Sequence, residues 1–451
     1  MLTYQLNKTD GVPLYEALYR CIRADILSGK LPAGEKLPSK RALAAHLEVS
    51  KITVETAYGQ LLAEGYITSR EKVGYFVENI PHLWKSAQSA PAEKPAGEDG
   101  IDLVGSHPAK FPFSVWSRLQ REVMLDLGAT LLQPMPHQGI WELRQAIADH
   151  LASFRGMQVS AENIVIGAGT DFLYNILVQL LGRDKGYCVE EPGYGKIRRI
   201  YEAAGADYVS VMLDRQGVLP PADPKAQILH ISPNHHFPTG VITALTRRQE
   251  LLQWVSQGAD RWIIEDDYDS EFRFNAHPVP AMFSLDRTGK VIYMNTFSRS
   301  LAPAIRISYM VLPRILMEKM RRELGFYSCT VASFEQHTLA RFISRGHFEK
   351  HINRMRKFYK AQRNRVLQVL QNCKYCDRIT ILEENAGLHF LVATGIEEEK
   401  LKDICRQKRL HIRTLADYYH GPVPEEHKGC LVVNYAGLSG EQMDELEQIL
   451  G

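Results

Sequence analysis

The sequence lacks a long apolar segment that could enter a membrane. It also lacks the large net positive charge that would attract it to nucleic acid. No uninterrupted apolar run among its 451 residues is long enough to cross a bilayer, and the amino terminus lacks a basic stretch followed by an apolar segment. The formal net charge is only +2, so any binding to nucleic acid must depend on where basic groups are placed. We therefore expect a soluble cytoplasmic protein with no membrane association.

Cysteine is scarce and irregularly placed. The chain has 7 cysteines, an odd number scattered over its length, which does not indicate a disulfide framework. Cys373 and Cys376 form a C-x-x-C pair, but no second pair completes a zinc site. We expect reduced thiols and no bound metal.

The first 78 residues have the periodicity of three helices followed by two short strands. Apolar residues recur at helical spacing in the first helix, at Leu14, Leu18, Ile22 and Ile26. Ser39 and Ser50 each stand where an N-cap would begin a further helix, with a tight turn between those two helices. Alternating residues then predict strands at 66–69 and 74–77. This pattern is typical of a helix-turn-helix with a wing.

The helix-turn-helix pattern indicates which residues would contact DNA. In such a module the second helix enters the major groove with its N-terminal residues. Ser50, Lys51 and Thr53 would then face base edges or phosphates, while Arg41 and Lys72 would contact the phosphate backbone. The candidate DNA contacts are Ser39, Arg41, Ser50, Lys51, Thr53 and Lys72. The alternative is that the basic residues among them are solvated surface charges.

One long segment of this region matches a known pattern. The run LPSKRALAAHLEVSKITVETAYGQLLAEGYI resembles the winged-helix domain of the GntR family of bacterial regulators over nearly its whole length. The resemblance implies that residues 1–78 form a DNA-binding domain whose partner is a double-stranded DNA operator. Residues 79–100 lose apolar periodicity and fill with Pro, Ala, Gly and charge, which predicts a linker.

The remaining residues, 101–451, alternate short β-rich apolar runs with longer helical patterns. Examples are AENIVIGAG before DFLYNILVQLL and AQILHISP before RRQELLQWVSQG. This alternation predicts an α/β domain around a mostly parallel sheet, with ligands bound beyond the carboxyl ends of the strands. Functional residues should therefore follow the strands directly.

Residues suited to hold a phosphate follow two of the predicted strands. Gly169 and Thr170 open a helix, whose free backbone N–H groups could bind an anion. Small residues also occur in ordinary strand-to-helix turns, so this signal is weak alone. Thr296, Ser298 and Arg306 add a hydroxyl-rich loop and a guanidinium that can bind a phosphate bidentately.

Residues suited to hold an aromatic ring follow two further strands. Tyr194 offers an aromatic face after YCVEEPG. Asp266 could hold a pyridinium nitrogen protonated, and Tyr268 could hydrogen-bond a ring oxygen. A helix cap or a surface charge is the alternative role for Asp266, although its position after an apolar strand argues against it.

Several motifs together are more specific than any one of them. The segments GSHPAKFPFSVW, HQGIWELRQAI, EEPGYG, SPNHHFPTG, IIEDDYDSEFRF and TFSRSLAPAIRISYMVLP resemble the class I aminotransferase domain of fold type I. With the winged helix, residues 12–451 resemble the MocR branch of GntR regulators. This resemblance implies pyridoxal 5′-phosphate (PLP) as cofactor and a homodimer arranged head-to-tail.

The same resemblance implies roles for individual residues. Asp266 would pair with the ring nitrogen, Tyr268 would bond the ring O3′, and Tyr194 would stack on or near the ring. His235 would lie near the O3′ side, whereas His236 replaces a glutamine that is common in this branch. The phosphate would be held by Gly169, Thr170, Thr296, Ser298 and Arg306.

Arg299 stands where the family has the lysine that bonds covalently to the cofactor aldehyde. That bond requires a primary amine that can lose its proton, whereas a guanidinium stays protonated and is a poor nucleophile. The lysine also moves a proton during transamination, a step worth a factor of about 10² to 10⁴. We therefore expect no catalytic turnover. PLP held without a covalent bond, a preformed adduct of PLP and an amino acid, and a pocket that binds another anion all remain open.

The final predicted strand raises the question of what effector binds. Class I aminotransferases often carry an arginine there for the substrate carboxylate, but the segment LVVNYAG has none. Arg413 is the nearest basic candidate, and an exposed surface position is an equal alternative. The leading hypothesis is a transcription regulator that senses PLP, a small amino compound, or both. The rivals are an active aminotransferase with a DNA-binding appendage and a repressor whose second domain is only a dimerisation scaffold.

Overall fold

The computed structural model divides the chain into two compact units, Met1–Gly97 and Glu98–Gly451. The residues that it describes are 2–4, 6, 13–79, 101–103, 110–272, 279–373, 376–384 and 387–450. The predicted linker lies outside the described residues except for residue 79, as do parts of two of the quoted motifs, residues 105–109 and 273–274. Within the described ranges, no helix combines the length and the apolar character that a membrane span needs.

The described part of the first unit contains three helices and a two-stranded antiparallel sheet. Their bounds are α1 Leu14–Leu27, α2 Lys40–His46, α3 Lys51–Ala63, β1 Ile67–Arg70 and β2 Gly74–Val77. The two serines predicted as N-caps act as such, because Ser39 Oγ accepts a hydrogen bond from the Ala42 N–H and Ser50 Oγ from the Thr53 N–H. The first strand begins one residue later than predicted, and Ile67 pairs with Val77 in the sheet.

The second unit is built on an eight-stranded sheet with the strand order β4-β11-β10-β9-β8-β5-β6-β7. Five neighbouring strands, from β10 to β6 in that order, run parallel, and β11 and β7 pair antiparallel with the two ends of this group. The predicted fold class, an α/β domain with a mostly parallel sheet, is thus confirmed. The strands are β4 Ile164–Gly167, β5 Gly186–Glu191, β6 Tyr208–Asp214, β7 Gly217–Val218, β8 Ala226–Ile231, β9 Trp262–Asp266, β10 Val291–Thr296 and β11 Ser308–Val311.

A four-stranded antiparallel sheet, β12-β13-β16-β15, and a parallel strand pair, β3 with β14, complete the β-structure described in this unit. These strands are β3 Ile101–Asp102, β12 Thr380–Leu382, β13 His389–Ala393, β14 Leu410–His411, β15 Arg413–Thr414 and β16 Cys430–Asn434. The helices are α4 Phe113–Leu127, α5 Trp141–Arg155, α6 Thr170–Leu181, α7 Gly195–Ala203, α8 Leu245–Ser256, α9 Met282–Leu285, α10 Phe297–Ser300, α11 Arg314–Glu323, α12 Ser333–Ser344, α13 His347–Asn372, α14 Glu398–Gln407 and α15 Gly440–Leu450.

The central strands are buried on both faces of the large sheet. In β9, Ile264 belongs to an apolar cluster that includes Leu173 and Leu177 of α6. Its neighbour Ile263 belongs to a separate cluster with Leu251 of α8. Strands buried on both faces have nearly continuous apolar sequences, which is why apolar and polar residues do not alternate along them. Polar side chains therefore concentrate where the strands end.

Arg248, in the first turn of α8, fixes a loop at this edge of the sheet. Its side chain is fully buried. It donates hydrogen bonds to the carbonyl oxygens of Pro233, Thr243 and Pro280 and to Oδ1 of Asn234, at 2.7 to 3.0 Å. A guanidinium can satisfy this many acceptors because its five N–H donors lie in one plane. The loop between β8 and α8 is thereby held over the end of the sheet.

We expect Arg248→Met to lower the free energy of unfolding of the second unit by about 3 kcal/mol, because several buried carbonyl oxygens lose their donor at once. Calorimetric unfolding of the full chain would measure the change in the transition of that unit. Arg322→Met is the matched control, since Arg322 is exposed on α11 and pairs only with its neighbour Glu323 among the ion pairs of the described residues. Equal stability of the two variants would show that Arg248 does not hold this loop.

Candidate functional site

A cavity of about 160 Å³ lies at the carboxyl ends of the parallel strands. Its lining comes from the segments that follow β4, β5, β8, β9 and β10, as expected for ligand binding in an α/β sheet. The predicted residues that line it are Thr170, Tyr194, Asp266, Tyr268, Thr296, Ser298, Arg299 and Arg306. Residues far apart in the sequence are thus brought together around one space. Their roles toward a cofactor remain predictions.

Asp266, the last residue of β9, is buried and lines the cavity. Its Oδ2 accepts a very short hydrogen bond from the Tyr174 hydroxyl, and His230 Nε2 lies 3.9 Å from the same oxygen. Its Oδ1 is buried and has no hydrogen-bond partner among the described residues. Burial removes the surface-charge alternative for Asp266. An unpaired carboxylate oxygen in this position fits a protonated ring nitrogen, since a buried acceptor without a donor is costly.

Tyr268 follows two residues later and lies beside a buried histidine. His235 Nδ1 is 2.7 Å from Asp269 Oδ2 and 3.1 Å from the Tyr268 hydroxyl. One nitrogen cannot donate to a carboxylate and accept from a phenol at once, and the shorter contact indicates that it donates to Asp269. The Tyr268 hydroxyl then remains able to donate toward the cavity. His235 itself does not line the cavity but lies behind Tyr268.

A second group of residues at the cavity comprises Ser298 and Arg306, which line it, and Gly169, which lies beside the Arg306 guanidinium. Gly169 has a φ of +90°, and a Cβ added to it would lie 2.2 Å from Nη2 of Arg306. Glycine is therefore required for the guanidinium to lie over this turn. Ser298 Oγ is buried without a hydrogen-bond partner in the described part of the chain. A free hydroxyl and a guanidinium beside a helix start fit a phosphate.

Thr296 lines the same region, but its hydroxyl is already engaged. Thr296 Oγ1 accepts hydrogen bonds from the Ser298 N–H at 3.1 Å and from the Ser308 hydroxyl at 2.8 Å. It therefore shapes the start of α10. The Thr296 hydroxyl itself lies 3.5 Å from the Ile307 carbonyl oxygen, to which it donates, and a hydrogen bond from Thr296 to a phosphate would have to replace that contact.

Two charged residues at this end were missed by sequence reasoning. Asp171 Oδ2 lies 2.5 Å from Lys196 Nζ and 3.1 Å from Arg306 Nη2, and all three side chains line the cavity. Asp171 directly follows Thr170, and Lys196 lies two residues after Tyr194. Their proximity to predicted site residues was a signal, but single surface charges are common and the pairing arises only in three dimensions.

Two further lining residues, Tyr174 and Glu190, were also missed as site residues. Tyr174 lies four residues after Thr170 and therefore on the same face of α6. Its hydroxyl is fully buried against Asp266, and burial, followed by that carboxylate, raises its pKa well above the ordinary value. The helical spacing from Thr170 could have identified Tyr174.

Glu190, near the end of β5, lines the cavity as a buried carboxyl. Burial raises the pKa of Glu190 to about 8, and the nearby Asp266 carboxylate adds to the shift. His236 Nε2 lies 3.6 Å from Glu190 Oε2, while burial lowers the pKa of His236 to about 3. A neutral imidazole therefore faces a protonated carboxyl at neutral pH. His236 serves the local packing here and does not line the cavity.

Arg413 does not line the cavity. It is exposed on β15, where its Cα is paired with that of Val432 in β16. Its guanidinium carbon lies 5.9 Å from the ring centroid of Tyr418, whose ring packs 5.1 Å from that of Phe237 on the cavity wall. Arg413 is thus separated from the cavity by aromatic side chains. This position favours the surface alternative over a direct carboxylate clamp.

Arg299 lines the cavity from α10. Its guanidinium carbon lies 6.0 Å from the ring centroid of Tyr268, in a cation–π contact. The positive charge also opposes the effect of burial on the pKa of Tyr268, which burial raises well above its ordinary value. Arg299 therefore faces the same space as Asp266 and Tyr268.

The predicted DNA contacts lie at the starts of α2 and α3 and at the tip of the wing. Arg41, Lys51 and Lys72 are exposed. Ser39 and Ser50 are N-caps, and Thr53 Oγ1 lies 2.8 Å from Ser50 Oγ, so these hydroxyls have structural hydrogen bonds. Sequence reasoning did not identify the ion pair between Lys40 and Glu55, 2.7 Å long, which joins the two helices, or the exposed Ile52.

A metal would need a cluster of ligands. Over the ranges that the structure describes, no group of three or more His, Cys, Asp or Glu side chains is placed to hold a metal ion.

Two family models match the chain. Residues 105–450 match aminotransferase class I and II, and residues 14–77 match the bacterial regulatory proteins of the gntR family. The chain is similar to the uncharacterized HTH-type transcriptional regulator YdeL of Bacillus subtilis, at 35% identity over 98% of this chain and 97% of that one. It is also similar to the probable rhizopine catabolism regulatory protein MocR of Rhizobium meliloti, at 33% identity over 98% and 93%. The chain is also similar to the HTH-type pyridoxine biosynthesis transcriptional regulator PdxR of Corynebacterium glutamicum, at 29% identity over 93% of this chain and 92% of that one.

Solved structures resemble the second unit. Kynurenine aminotransferase from Pyrococcus horikoshii has a TM-score of 0.66 at 25% identity, covering 78% of this chain and 90% of that one. The multiple substrate aminotransferase from Thermococcus profundus has a TM-score of 0.68 at 23% identity, covering 79% and 91%. The latter likeness concerns the fold alone.

We expect Glu190→Gln to remove a pH dependence of stability. An unfolded glutamate loses its proton near pH 4.5, whereas folded Glu190 keeps it up to about pH 8. The stability contributed by this protonated carboxyl is therefore fully present below pH 4.5 and is lost as the pH rises to about 8. Relative to the variant, the wild type should lose up to about 1.4 kcal/mol of unfolding free energy per pH unit in that window.

Denaturant unfolding from pH 5 to pH 9 would measure this difference. Glu142→Gln, at an exposed position on α5, is the control and should differ from the wild type by a constant amount. A difference between wild type and Glu190→Gln that does not change with pH would contradict a protonated Glu190.

Proposed function

This chain belongs to the gntR family of bacterial transcription regulators and carries an aminotransferase class I and II domain, and we propose that this domain senses PLP, a small amino compound, or both. The family of the second domain implies dependence on PLP. The sensor domain would alter how the winged helices bind an operator. Regulation of this kind requires that the ligand bind two arrangements of the protein with different affinity.

The observation that carries the proposal is the distribution of unpaired groups in the cavity. Asp266 Oδ1 is a buried acceptor and Ser298 Oγ is a buried hydroxyl, neither with a hydrogen-bond partner in the described residues. Arg306 adds a guanidinium to the same lining. A pyridinium ring that carries a phosphate would satisfy all three groups. Tyr268 would donate a hydrogen bond to the ring oxygen.

Bound PLP supplies an aldehyde that can react with an amine and a ring that withdraws electrons. Tyr194, which is nearly half exposed, provides an aromatic face at the mouth of the cavity. Gly169 gives Arg306 room to approach, and the start of α6 at Thr170 directs backbone N–H groups to the phosphate end. His235, which donates to Asp269, would support Tyr268 through the packing of their rings, whose centroids are 6.1 Å apart, rather than touch the cofactor.

Arg299 argues for a regulator without turnover. Arg299 cannot form the covalent bond that the lysine of the family forms, so PLP would be held by the noncovalent contacts above. Its charge, 6.0 Å from the Tyr268 ring, is suited to pair with a carboxylate or a phosphate. Such a pocket binds its ligand without consuming it, which is what a sensor requires.

The regulator would act on double-stranded DNA in the cytoplasm. The exposed Lys51 at the start of α3 and the exposed Lys72 at the tip of the wing support contacts to the two sides of a groove. We further propose a homodimer, because a two-fold protein matches an operator with two half-sites. The resemblance to the MocR branch implies that its subunits are arranged head-to-tail. Residues 79–100 would serve as the linker between the DNA-binding domain of residues 1–78 and the sensor of residues 101–451.

We expect Arg299→Lys to create a visible absorption band with PLP that survives desalting, because it restores the amine that bonds the aldehyde. The wild type should bind PLP reversibly and lose it on desalting. Arg299→Lys combined with Asp266→Ala is the control and should show a weaker band, since the partner of the ring nitrogen is removed. Absence of a band in Arg299→Lys, together with no PLP binding to the wild type, would exclude PLP as the ligand of this cavity.

We expect Lys51→Gln to weaken binding to duplexes that the wild type selects from a randomised library, by roughly fivefold at about 0.15 M salt. The plot of log affinity against log salt concentration should also become shallower by about one unit, because one phosphate contact is lost. Fluorescence anisotropy would measure both. Lys319→Gln, on α11 of the second unit, should behave as the wild type does. Identical effects of the two substitutions would contradict a DNA contact at Lys51.

A further inference from the structure

Three charged side chains meet at the end of the cavity that we assign to the phosphate. Asp171, the second residue of α6, places Oδ2 2.5 Å from Lys196 Nζ of α7 and 3.1 Å from Arg306 Nη2, next to β11. One carboxylate oxygen is therefore shared by two cations that come from separate parts of the chain. All three side chains line the cavity.

This shared carboxylate lies where a phosphate would need to bind. The Arg306 guanidinium is so close to the Gly169 backbone that a Cβ there would lie 2.2 Å from Nη2, which fixes the guanidinium over the start of α6. Ser298, with its unpaired hydroxyl, lines the same cavity. An anion that uses Ser298 and Arg306 must come close to Asp171.

A simple surface ion pair does not explain this arrangement well. An isolated exposed pair contributes little to stability and needs no particular location. Here the three side chains are between one third and one half exposed, and they border a cavity rather than an open surface. Asp171 carries the same sign of charge as a phosphate, so the two would repel one another and compete for the same cations.

We propose that Lys196 is a second phosphate-binding cation beside Arg306, and that Asp171 is an internal carboxylate which a phosphorylated ligand must displace from both. Without a ligand, Asp171 neutralises part of the positive charge at this end. On binding, Lys196 and Arg306 exchange the carboxylate for the phosphate. The competition lowers the affinity for every phosphorylated ligand and leaves ligands without a phosphate unaffected. This inference rests on the proposed function for the identity of the ring-bearing ligand only.

The test measures the dissociation constants of PLP, pyridoxal and inorganic phosphate. Pyridoxal lacks only the phosphate of PLP, so the ratio of the pyridoxal and PLP dissociation constants reports the contribution of the phosphate to binding. Asp171→Asn should tighten PLP and inorganic phosphate by roughly fivefold and leave pyridoxal unchanged. Lys196→Met should weaken PLP and inorganic phosphate by a similar factor, again without an effect on pyridoxal. In the variant that combines Asp171→Asn with Lys196→Met, the increase in affinity due to Asp171→Asn should be smaller, because Asp171 and the phosphate no longer compete for Lys196.

Isothermal titration calorimetry on the full chain would measure these constants. Lys185 and Asp260 form a matched control pair, 3.2 Å apart, and Lys185 lies just before the opposite end of β5. Lys185→Met and Asp260→Asn should leave all three ligands unchanged. If Asp171→Asn lowers the melting temperature, Asp171→Ser, which also suits a helix start, repeats the test.

The outcomes separate this inference from the proposed function. Binding of PLP with a pyridoxal-to-PLP ratio that neither Asp171→Asn nor Lys196→Met changes would overturn the inference and leave the PLP sensor standing. Equal losses of pyridoxal and PLP in Lys196→Met would likewise overturn it, because Lys196 would then contact the ring or its aldehyde. If inorganic phosphate binds, binds more tightly to Asp171→Asn, and PLP does not bind, the inference would be supported and PLP would be excluded as the sensed ligand. Failure of every phosphorylated ligand to bind would overturn the inference and would also exclude PLP as the sensed ligand.

Discussion

Burial of the central strands on both faces is the constraint on which the site depends. Because Ile263 and Ile264 face opposite apolar clusters, β9 can neither rotate nor shift in register without exposing one of them. Its last residue, Asp266, is consequently held at the sheet edge although a buried carboxylate is costly. The neighbouring strands are fixed in the same way. The cavity is thus a product of the sheet rather than of any one motif.

Electrostatic balance within the cavity follows from this placement. Three acidic residues line the cavity, Asp266, Glu190 and Asp171, and each has a different environment. Tyr174 donates to Asp266, burial keeps the proton on Glu190, and cations surround Asp171. Three carboxyl groups can therefore border a small space without strong mutual repulsion. A ligand that brings a positive ring nitrogen and a negative phosphate complements this distribution.

Sequence reasoning predicted the residues that stand directly after strands, because that position alone determines where they lie. Asp266, Tyr268 and Ser298 are examples, and all three reach the cavity. It could not find that Asp171 pairs with both Lys196 and Arg306, since those ion pairs depend on how α6 and α7 are placed in space. The sequence also could not show that Arg413 lies against Tyr418, because the pairing of β15 with β16 sets the direction of its side chain. The caps at Ser39 and Ser50 were predictable because capping is local.

Arg248 has a consequence for how the second unit can move. One planar guanidinium binds the carbonyl oxygens of Pro233 and Pro280, which belong to segments on either side of β9 in the sequence. Neither segment can shift alone without breaking hydrogen bonds that water cannot replace in a buried site. A displacement of either segment is therefore coupled to the other through Arg248.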